Sequence, residues 1–413
     1  MSSKKVVVVG AGIIVASTAL WLARAGHRVT LIDRDEPGMG ASYGNAGVLA
    51  ACSVAPVTAP GLALKGLKLL LDPNFPLFLR WGYLPRLAGW LMRYLSHAND
   101  RDTRRIAKGL TPLVADALEQ HKALVKGTRA ERWLQQSTYS FAYKDRQAFE
   151  ADAYTWELRR IAGFQPTLIE GDELRQHEPS LSKDIGLLAQ LRDHGYISNP
   201  AAYTADIIET LRELGGKFVQ DDVQDFELAA GKISKVLGKC EIYTCDAAVV
   251  CSGVFSKSLM HKLGLNVPLE AERGYHIVFK DPSCKPNQPI MVASGKFVAT
   301  PMEEGLRCAG VVEFGGTQAG PSTAPLKLLR KKVKESFPKL SASSEEEWLG
   351  FRPAPTDSLP LIGELKNTGI YTAFGHHHIG LTAGPKTGRL VADLISGQRS
   401  NNDLRPYDPT RFQ

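Results

Sequence analysis

The apolar and polar positions of the chain change period several times, and the sharpest pattern comes first. Val6-Val7-Val8-Val9 is an unbroken apolar run, as expected of a strand buried on both faces. Gly10-Ala11-Gly12 interrupts it, a helix-like run reaches from Ala16 to Ala25, and a second apolar run from Arg28 to Ile32 ends at Asp33. Further along, 110–128 and 147–161 have helical spacing, and 132–144 alternates as strands do. A helix is expected over 201–214, stopped by Gly215-Gly216, then a strand over 217–223. Hairpin strands around Gly231 and Gly238 lead to a strand over 246–251 that is apolar after Asp246. Strands follow over 290–315, a helix with a basic outer face over 325–337, a strand over 370–374 and a last helix to Ile395.

Strand, glycine turn, helix and strand with an acid at its tip describe the opening unit of a dinucleotide-binding fold. Gly10 permits the tight turn and Gly12 lets the backbone approach a pyrophosphate. The N–H groups beginning at Ile13 and Ile14 point at that anion. Asp33 stands 21 residues after Gly12, where an acid accepts from ribose hydroxyls, with Arg34 beside it. The third glycine of the pattern is replaced by Val15. A β-branched side chain there is expected to shift the helix slightly and to cost cofactor affinity.

Composition narrows the class. A chain of 413 residues with 23% charged residues is an ordinary globular composition of one large or two interleaved domains. Cys52, Cys240, Cys245, Cys251, Cys284 and Cys308 form no C-x-x-C pair, which points to reduced thiols and a cytoplasmic setting. The net charge of +7 suits an anionic cofactor or acidic small substrates, and no nucleic-acid module accompanies it. Gly10 and Gly12 argue against a signal-peptide reading of the N-terminus, and no membrane span is expected because no 18-residue apolar run occurs. Residues 61–108 differ from the rest, with nine basic residues against three acids among many leucines and aromatics. Leu64, Leu67, Leu69, Leu70, Leu71, Lys65, Lys68, Trp81 and Trp90 belong to this segment, with Pro73, Pro76 and Pro85 dividing it into short amphipathic helices. Two readings stay open for it: a membrane-interface element on the inner face of the cell membrane, or a helical insert packed on the body.

After Asp33 comes a small-residue loop, Ala41-Ser42-Tyr43-Gly44-Asn45-Ala46-Gly47. Near the C-terminus stand Gly350-Phe351-Arg352-Pro353 with Asp357…Pro360-Leu361-Ile362-Gly363, then Gly375-His376-His377-His378-Ile379-Gly380-Leu381-Thr382 entering the last helix. In this order the motifs resemble the FAD-dependent D-amino acid oxidase superfamily, and within it most closely the bacterial D-amino acid dehydrogenase small-subunit group, of D-hydroxyproline dehydrogenase type. The resemblance implies an α/β fold: an FAD-binding Rossmann-like domain (1–55, 195–265 and 345–413) interleaved with an α+β substrate domain on a mixed sheet (56–194 and 266–344). It implies FAD contacts from Ser42, Asn45, Ala46 and Gly47, from the backbone of Val223 at the adenine, and from the second phosphate-side turn, Ser252-Gly253. It also places Gly375, Ile379, Gly380, Leu381 and Thr382 against the flavin, where the last helix's N-terminus stabilises negative charge.

Amine oxidation by a flavin needs a hydride leaving Cα for N5, a neutral amine and correct orientation. Arg352 is the expected carboxylate ligand, its guanidinium being permanently charged and suited to bidentate pairing; a structural salt bridge is the alternative. Of Tyr275 and His276, neighbours on a strand that face opposite ways, Tyr275 is expected at the substrate, with Arg273 on its side as a second cation. His378 is expected to touch substrate or flavin. No metal is expected, because three consecutive histidines do not converge on one ion. The activity expected is oxidation of a D-amino acid or cyclic imino acid to the imine, with electrons passed to a quinone or other carrier. A sarcosine- or glycine-type oxidase using O2 is the nearest alternative. A flavoprotein crippled by Val15 and serving as a scaffold is the alternative from another class.

Overall fold

The computed structural model describes residues 3–62, 72 and 74–413. The first apolar run forms the strand Lys5–Val9 at the centre of a six-stranded sheet. Its order is Leu361–Glu364, Ile370–Phe374, Ala247–Val250, Lys5–Val9, Arg28–Asp33, Lys217–Gln220. Every neighbouring pair is parallel except the first. Val6 and Val8 pack into the core on one face and Val7 and Val9 into that on the other, which is why four valines run unbroken. The chain leaves Lys5–Val9 for a strand on one side and later returns to its other side. The carboxyl end of this strand is therefore the crevice where such sheets take ligands.

The helix Ile13–Arg24 covers one face, and the last helix, Gly380–Ile395, crosses it closely. A Cβ on Gly388 would lie 2.6 Å from the Ser17 carbonyl carbon, and one on Gly384 would lie 3.2 Å from Ile13 Cγ1. These side-chain-free positions let the two ends of the chain meet backbone to backbone.

A ten-stranded mixed sheet forms the second layer. Its main path runs Ser344–Pro355, Leu269–Lys280, Gly305–Phe314, Phe297–Met302, Ile290–Val292, Leu134–Tyr143, Leu187–Ile197, Val48–Leu49. The strand Ser344–Pro355, expected in the nucleotide-binding unit from 345 onward, is instead an edge of this large sheet. The antiparallel strands Val223–Ala229, Lys232–Gly238 and Ile242–Thr244 make a small third sheet.

Of the basic segment, Leu64, Lys65, Leu67, Lys68, Leu69, Leu70, Leu71 and Pro73 lie outside the described residues. The rest includes a short strand, Leu77–Leu79, and the helices Leu84–Ser96 and Asp100–Val114, the second capped by Asn99, which accepts from the Asp102 N–H. Leu87, Trp90 and Tyr94 bury their side chains against Phe314 and Ala354. The outer face leaves Trp81 and Met92 exposed. Among the described residues no helix is long and apolar enough to cross a membrane.

Candidate active site

One continuous cavity of about 1400 Å³ starts at the carboxyl end of Lys5–Val9 and continues under the large sheet. Gly10, Gly12, Ile13, Ile14, Asp33, Arg34, Val223, Ser252 and Gly253 line its first end. Gly10 sits at φ +121° with no room for a side chain: a Cβ would lie 3.0 Å from the Cys251 carbonyl oxygen and 2.9 Å from Val15 Cγ2. Val15 is fully buried and folds into the space that Gly10 leaves. The missing side chain at position 10 thus makes room for the extra one at 15, and the strain expected from Val15 has no steric counterpart here. Ser42 Oγ accepts from the Ile13 N–H at 2.9 Å, satisfying one of the helix's free donors beside the cavity. Burial raises the Asp33 carboxyl above its usual range, against the opposing bond it accepts from the Asp35 N–H.

The loop after Ser42 is pinned from the large sheet. Arg307, almost fully buried, donates from Nη1 to the carbonyls of Tyr43 (2.7 Å) and Asn45 (2.8 Å), and Thr300 donates to Ala46 at 2.7 Å. Asn45 Oδ1 accepts from the Gly47 N–H, making a tight turn, and Asn45 and Ala46 line the cavity. Gly47, at φ +76°, does not line it; a Cβ there would strike the Ile197 carbonyl at 2.7 Å, so this glycine serves the turn. From the last helix, Thr382 Oγ1 accepts from the Ala50 N–H (3.3 Å).

The other end of the cavity is built on the paired strands Leu269–Lys280 and Ser344–Pro355. Glu272 stands opposite Arg352, and alternation places Gly274 and His276 on the same face. Arg352 Nη1 donates to Glu272 Oε1 at 2.6 Å, and its guanidinium lies over Gly274, where a Cβ would come within 2.7 Å. Among the described residues Nε and Nη2 of Arg352 have no protein partner, and the side chain is 25% exposed, into the cavity. The other carboxylate oxygen of Glu272 pairs with His377 Nε2 at 2.5 Å. Burial alone would raise the Glu272 carboxyl, but His377 and Arg352 outweigh it and hold the group well below the usual range.

Tyr275 lines the cavity, and Arg273, expected beside it, does not. They share the opposite face of the strand, where Arg273 is wholly buried on Glu313 (2.6 Å) and on the carbonyls of Gly316, Ala319 and Gly320. The Tyr275 hydroxyl donates to Glu313 at 2.7 Å and accepts from the Ser322 N–H, so it has no donor left for a ligand. His276, buried on the face of Glu272 and Gly274, stacks on Trp348 (centroids 5.2 Å apart) and does not line the cavity. Burial, with Arg307 adding to it, lowers the His276 imidazole to about 4.

The three histidines divide their work. His376 is buried on Thr387 Oγ1 at 3.0 Å. His377 adopts φ +49°, a left-handed conformation costly for a residue with a side chain, and there reaches Glu272. His378 is exposed into the cavity and meets His377 Nδ1 with its own Nδ1 at 3.3 Å. Gly375, Gly380, Leu381 and Thr382 line the cavity as expected, whereas Ile379 turns its side chain into the core. Glu272, His377, Thr300 and Arg307 were not expected from sequence. The partners of Arg307 and Thr300 are more than 250 residues away, so no local pattern announces them.

A glycine turn with no room for a Cβ, leading into a helix N-terminus at the carboxyl end of a parallel strand, is the build of a dinucleotide site. The chain belongs to the family described as DAO, FAD dependent oxidoreductase, whose model matches residues 5–394. It is 37% identical over 417 residues to a D-amino-acid oxidase of Bradyrhizobium diazoefficiens, covering 99% of each chain. It is 28% identical over 422 residues to a D-amino acid dehydrogenase of Rhizobium rhizogenes, covering 99% of this chain and all of that one. Glycine oxidase from Geobacillus kaustophilus has the same fold, with a TM-score of 0.73 at 20% identity over all of this chain and 99% of the other. The protein is an FAD-dependent oxidoreductase.

Proposed function

We propose that the protein oxidises D-amino acids, cyclic imino acids included, at the Cα–N bond. The product is an imine, which hydrolyses to a 2-oxo acid or, from a proline-like substrate, remains cyclic. The observation that carries this reading is the guanidinium of Arg352, held over Gly274 by Glu272 with Nε and Nη2 open to the cavity. A permanently charged planar fork in a largely apolar chamber selects a carboxylate. The names of the two relatives support the D configuration. FAD, when bound, supplies the hydride acceptor. Gly10, Gly12, Ile13, Ile14, Ser252 and Gly253 hold its pyrophosphate, Asp33 and Arg34 its ribose, and the Val223 backbone its adenine. Ser42, Asn45, Ala46, Gly375, Gly380, Leu381 and Thr382 surround the ring system. The six-stranded and small sheets form the FAD unit in this assignment, and the large sheet forms the substrate unit.

For the acceptor, the reading is a membrane quinone reached at the inner face of the membrane. The exposed Trp81 and Met92 lie among exposed Arg86 and Arg93, a composition suited to an anionic lipid surface. The specific observation for a second reading, oxygen as acceptor, is the oxidase name of the 37% identical relative. The test supplies D- and L-amino acids to the FAD-loaded protein and measures 2-oxo acid, peroxide and reduction of a soluble quinone. Oxo acid from D-amino acids with quinone reduction and little peroxide supports the first reading. Stoichiometric peroxide moves the acceptor to oxygen, and oxo acid from L-amino acids alone overturns the configuration.

A further inference from the structure

The last helix carries a proline near its start, and a residue from another helix makes good what the proline removes. A helical carbonyl accepts from the N–H four residues on. For Leu381 that residue is Pro385, which has no N–H to give. His121, from the helix Ala117–Val125, supplies the missing donor, with Nε2 at 2.9 Å from the Leu381 carbonyl oxygen. Burial lowers its imidazole to about 4, against the carbonyls of Leu381 and Thr382 that favour the charged form, so the ring is neutral near pH 7. A carbonyl only accepts, so Nε2 carries the hydrogen. Nδ1 is then bare and accepts from the Tyr203 hydroxyl at 2.7 Å, a group that burial keeps protonated. His121 and Tyr203 are fully buried and neither lines the cavity. Lys386 Nζ also donates to Asp116 Oδ2 at 2.8 Å, tying the start of the His121 helix to the same last helix.

The pinned turn is the one that lines the cavity, through Gly380, Leu381 and Thr382. The first N–H groups of a helix have no partner within it, and with the dipole they favour negative charge, which a flavin carries when reduced. We propose that His121 is a positioning residue for the flavin: it stands in for the N–H that Pro385 lacks and holds the first turn of the last helix with its free N–H groups turned to the reduced ring. This role rests on the placement of the ring system against Gly380, Leu381 and Thr382 given above. His121 touches neither FAD nor substrate, and its effect passes through the Leu381 carbonyl. Without the imidazole that buried carbonyl loses its donor, and the turn has to rotate to find another. Pro385 itself is gripped from the first helix, where Trp21 Nε1 donates to its carbonyl at 3.1 Å. The proline thus leaves the Leu381 carbonyl open to a donor from outside, which couples the flavin-side turn to the helices carrying His121 and Tyr203.

The test compares FAD-loaded wild type, His121→Phe, His121→Gln, and His121→Phe combined with Pro385→Ala. Flavin midpoint potentials are measured by equilibration with reference dyes, and FAD affinity by fluorescence titration. His121→Phe removes the donor and keeps a ring. It should weaken binding of reduced FAD relative to oxidised FAD by about 10-fold, within the reach of a helix N-terminus acting on a partly buried charge. In a two-electron couple that lowers the potential by about 30 mV. His121→Gln, whose amide can donate to the same carbonyl, should keep the ratio within about 2-fold of wild type. Pro385→Ala restores the absent N–H, so adding His121→Phe to it should also shift the ratio by less than about 2-fold. An unmoved potential in His121→Phe, or the same shift with and without Pro385→Ala, would overturn the proposal. Equal weakening of both redox states would make His121 merely structural. If His121→Phe does not fold or hold FAD, the double variant decides: recovery with a wild-type potential supports one donor replacing the other, and no recovery overturns it. Amide exchange in the wild type checks the ring placement separately, since FAD loading should slow exchange over residues 380–384. No slowing removes the placement and this role together; slowing with an unmoved variant potential removes the role of His121 alone.

Discussion

Val15 occupies the position where dinucleotide-binding units of this type normally have glycine, and restoring that glycine is an informative perturbation. The side chain is fully buried, packs with Ala11 and Ala16 in the core on one face of the six-stranded sheet, and reaches into space left by Gly10. Val15→Gly removes three carbons from this core. Losing that burial and leaving a cavity costs about 2–3 kcal/mol. Glycine in a helix adds about 0.5 kcal/mol over valine. A destabilisation of about 3 kcal/mol follows, with no compensating gain in cofactor binding, because Gly12 and the helix N-terminus already line the cavity. The assay is urea unfolding of the FAD-free variant by circular dichroism, with FAD affinity from quenching of flavin fluorescence. A lower midpoint with affinity within about 3-fold of wild type is expected. A variant as stable as wild type that binds FAD about 10-fold tighter, a gain of about 1.4 kcal/mol, would show that Val15 strains the turn after all.

Arg352→Ala should lower kcat/KM for amino acids by about 10- to 100-fold, as loss of a charged hydrogen-bonding partner does, mostly through KM. Simple amines without a carboxylate should be affected far less, and equal losses would take Arg352 out of substrate binding. Glu178 gives a pH-dependent stability. Its side chain is buried with one oxygen unpartnered, and burial raises the carboxyl from 4.5 to about 7 despite the Asn287 N–H it accepts from. A raised acid is favoured neutral in the fold, so its contribution is full below the unfolded value and is lost as pH rises through about 7. Stability should therefore fall by about 3 kcal/mol between about pH 4.5 and pH 8 from this group, and Glu178→Gln should flatten that slope in urea titrations at stepped pH.

What the sequence made legible was local. Val6 to Val9, Gly10, Gly12 and Asp33 carry their meaning within one β-α-β unit, so period and spacing suffice to read them. The last helix and its glycine loop were readable for the same reason. The large sheet was legible only as strands, because its register joins segments far apart. Strand Ser344–Pro355 pairs along its whole length with Leu269–Lys280, a pairing that no spacing announces. Alternation tells that Tyr275 and Arg273 share a face without telling which face holds Arg352. The cross-strand pair Glu272–Arg352 settles that, and it exists only once the register is known. Nothing local singles out His377, because its partner Glu272 is 105 residues away. Val15 looked like damage because the compensating space lies at Gly10, a position read for its turn alone.

The central claim is that Arg352 and the chamber around it present an amino acid to bound FAD. Its most direct test is anaerobic titration of the purified, FAD-loaded protein with D- and L-amino acids, followed by flavin absorbance. The account predicts a yellow protein that D-amino acids bleach at concentrations far below those needed of the same compounds lacking a carboxylate. A protein that cannot be loaded with FAD, or one that no amino acid bleaches, would contradict it.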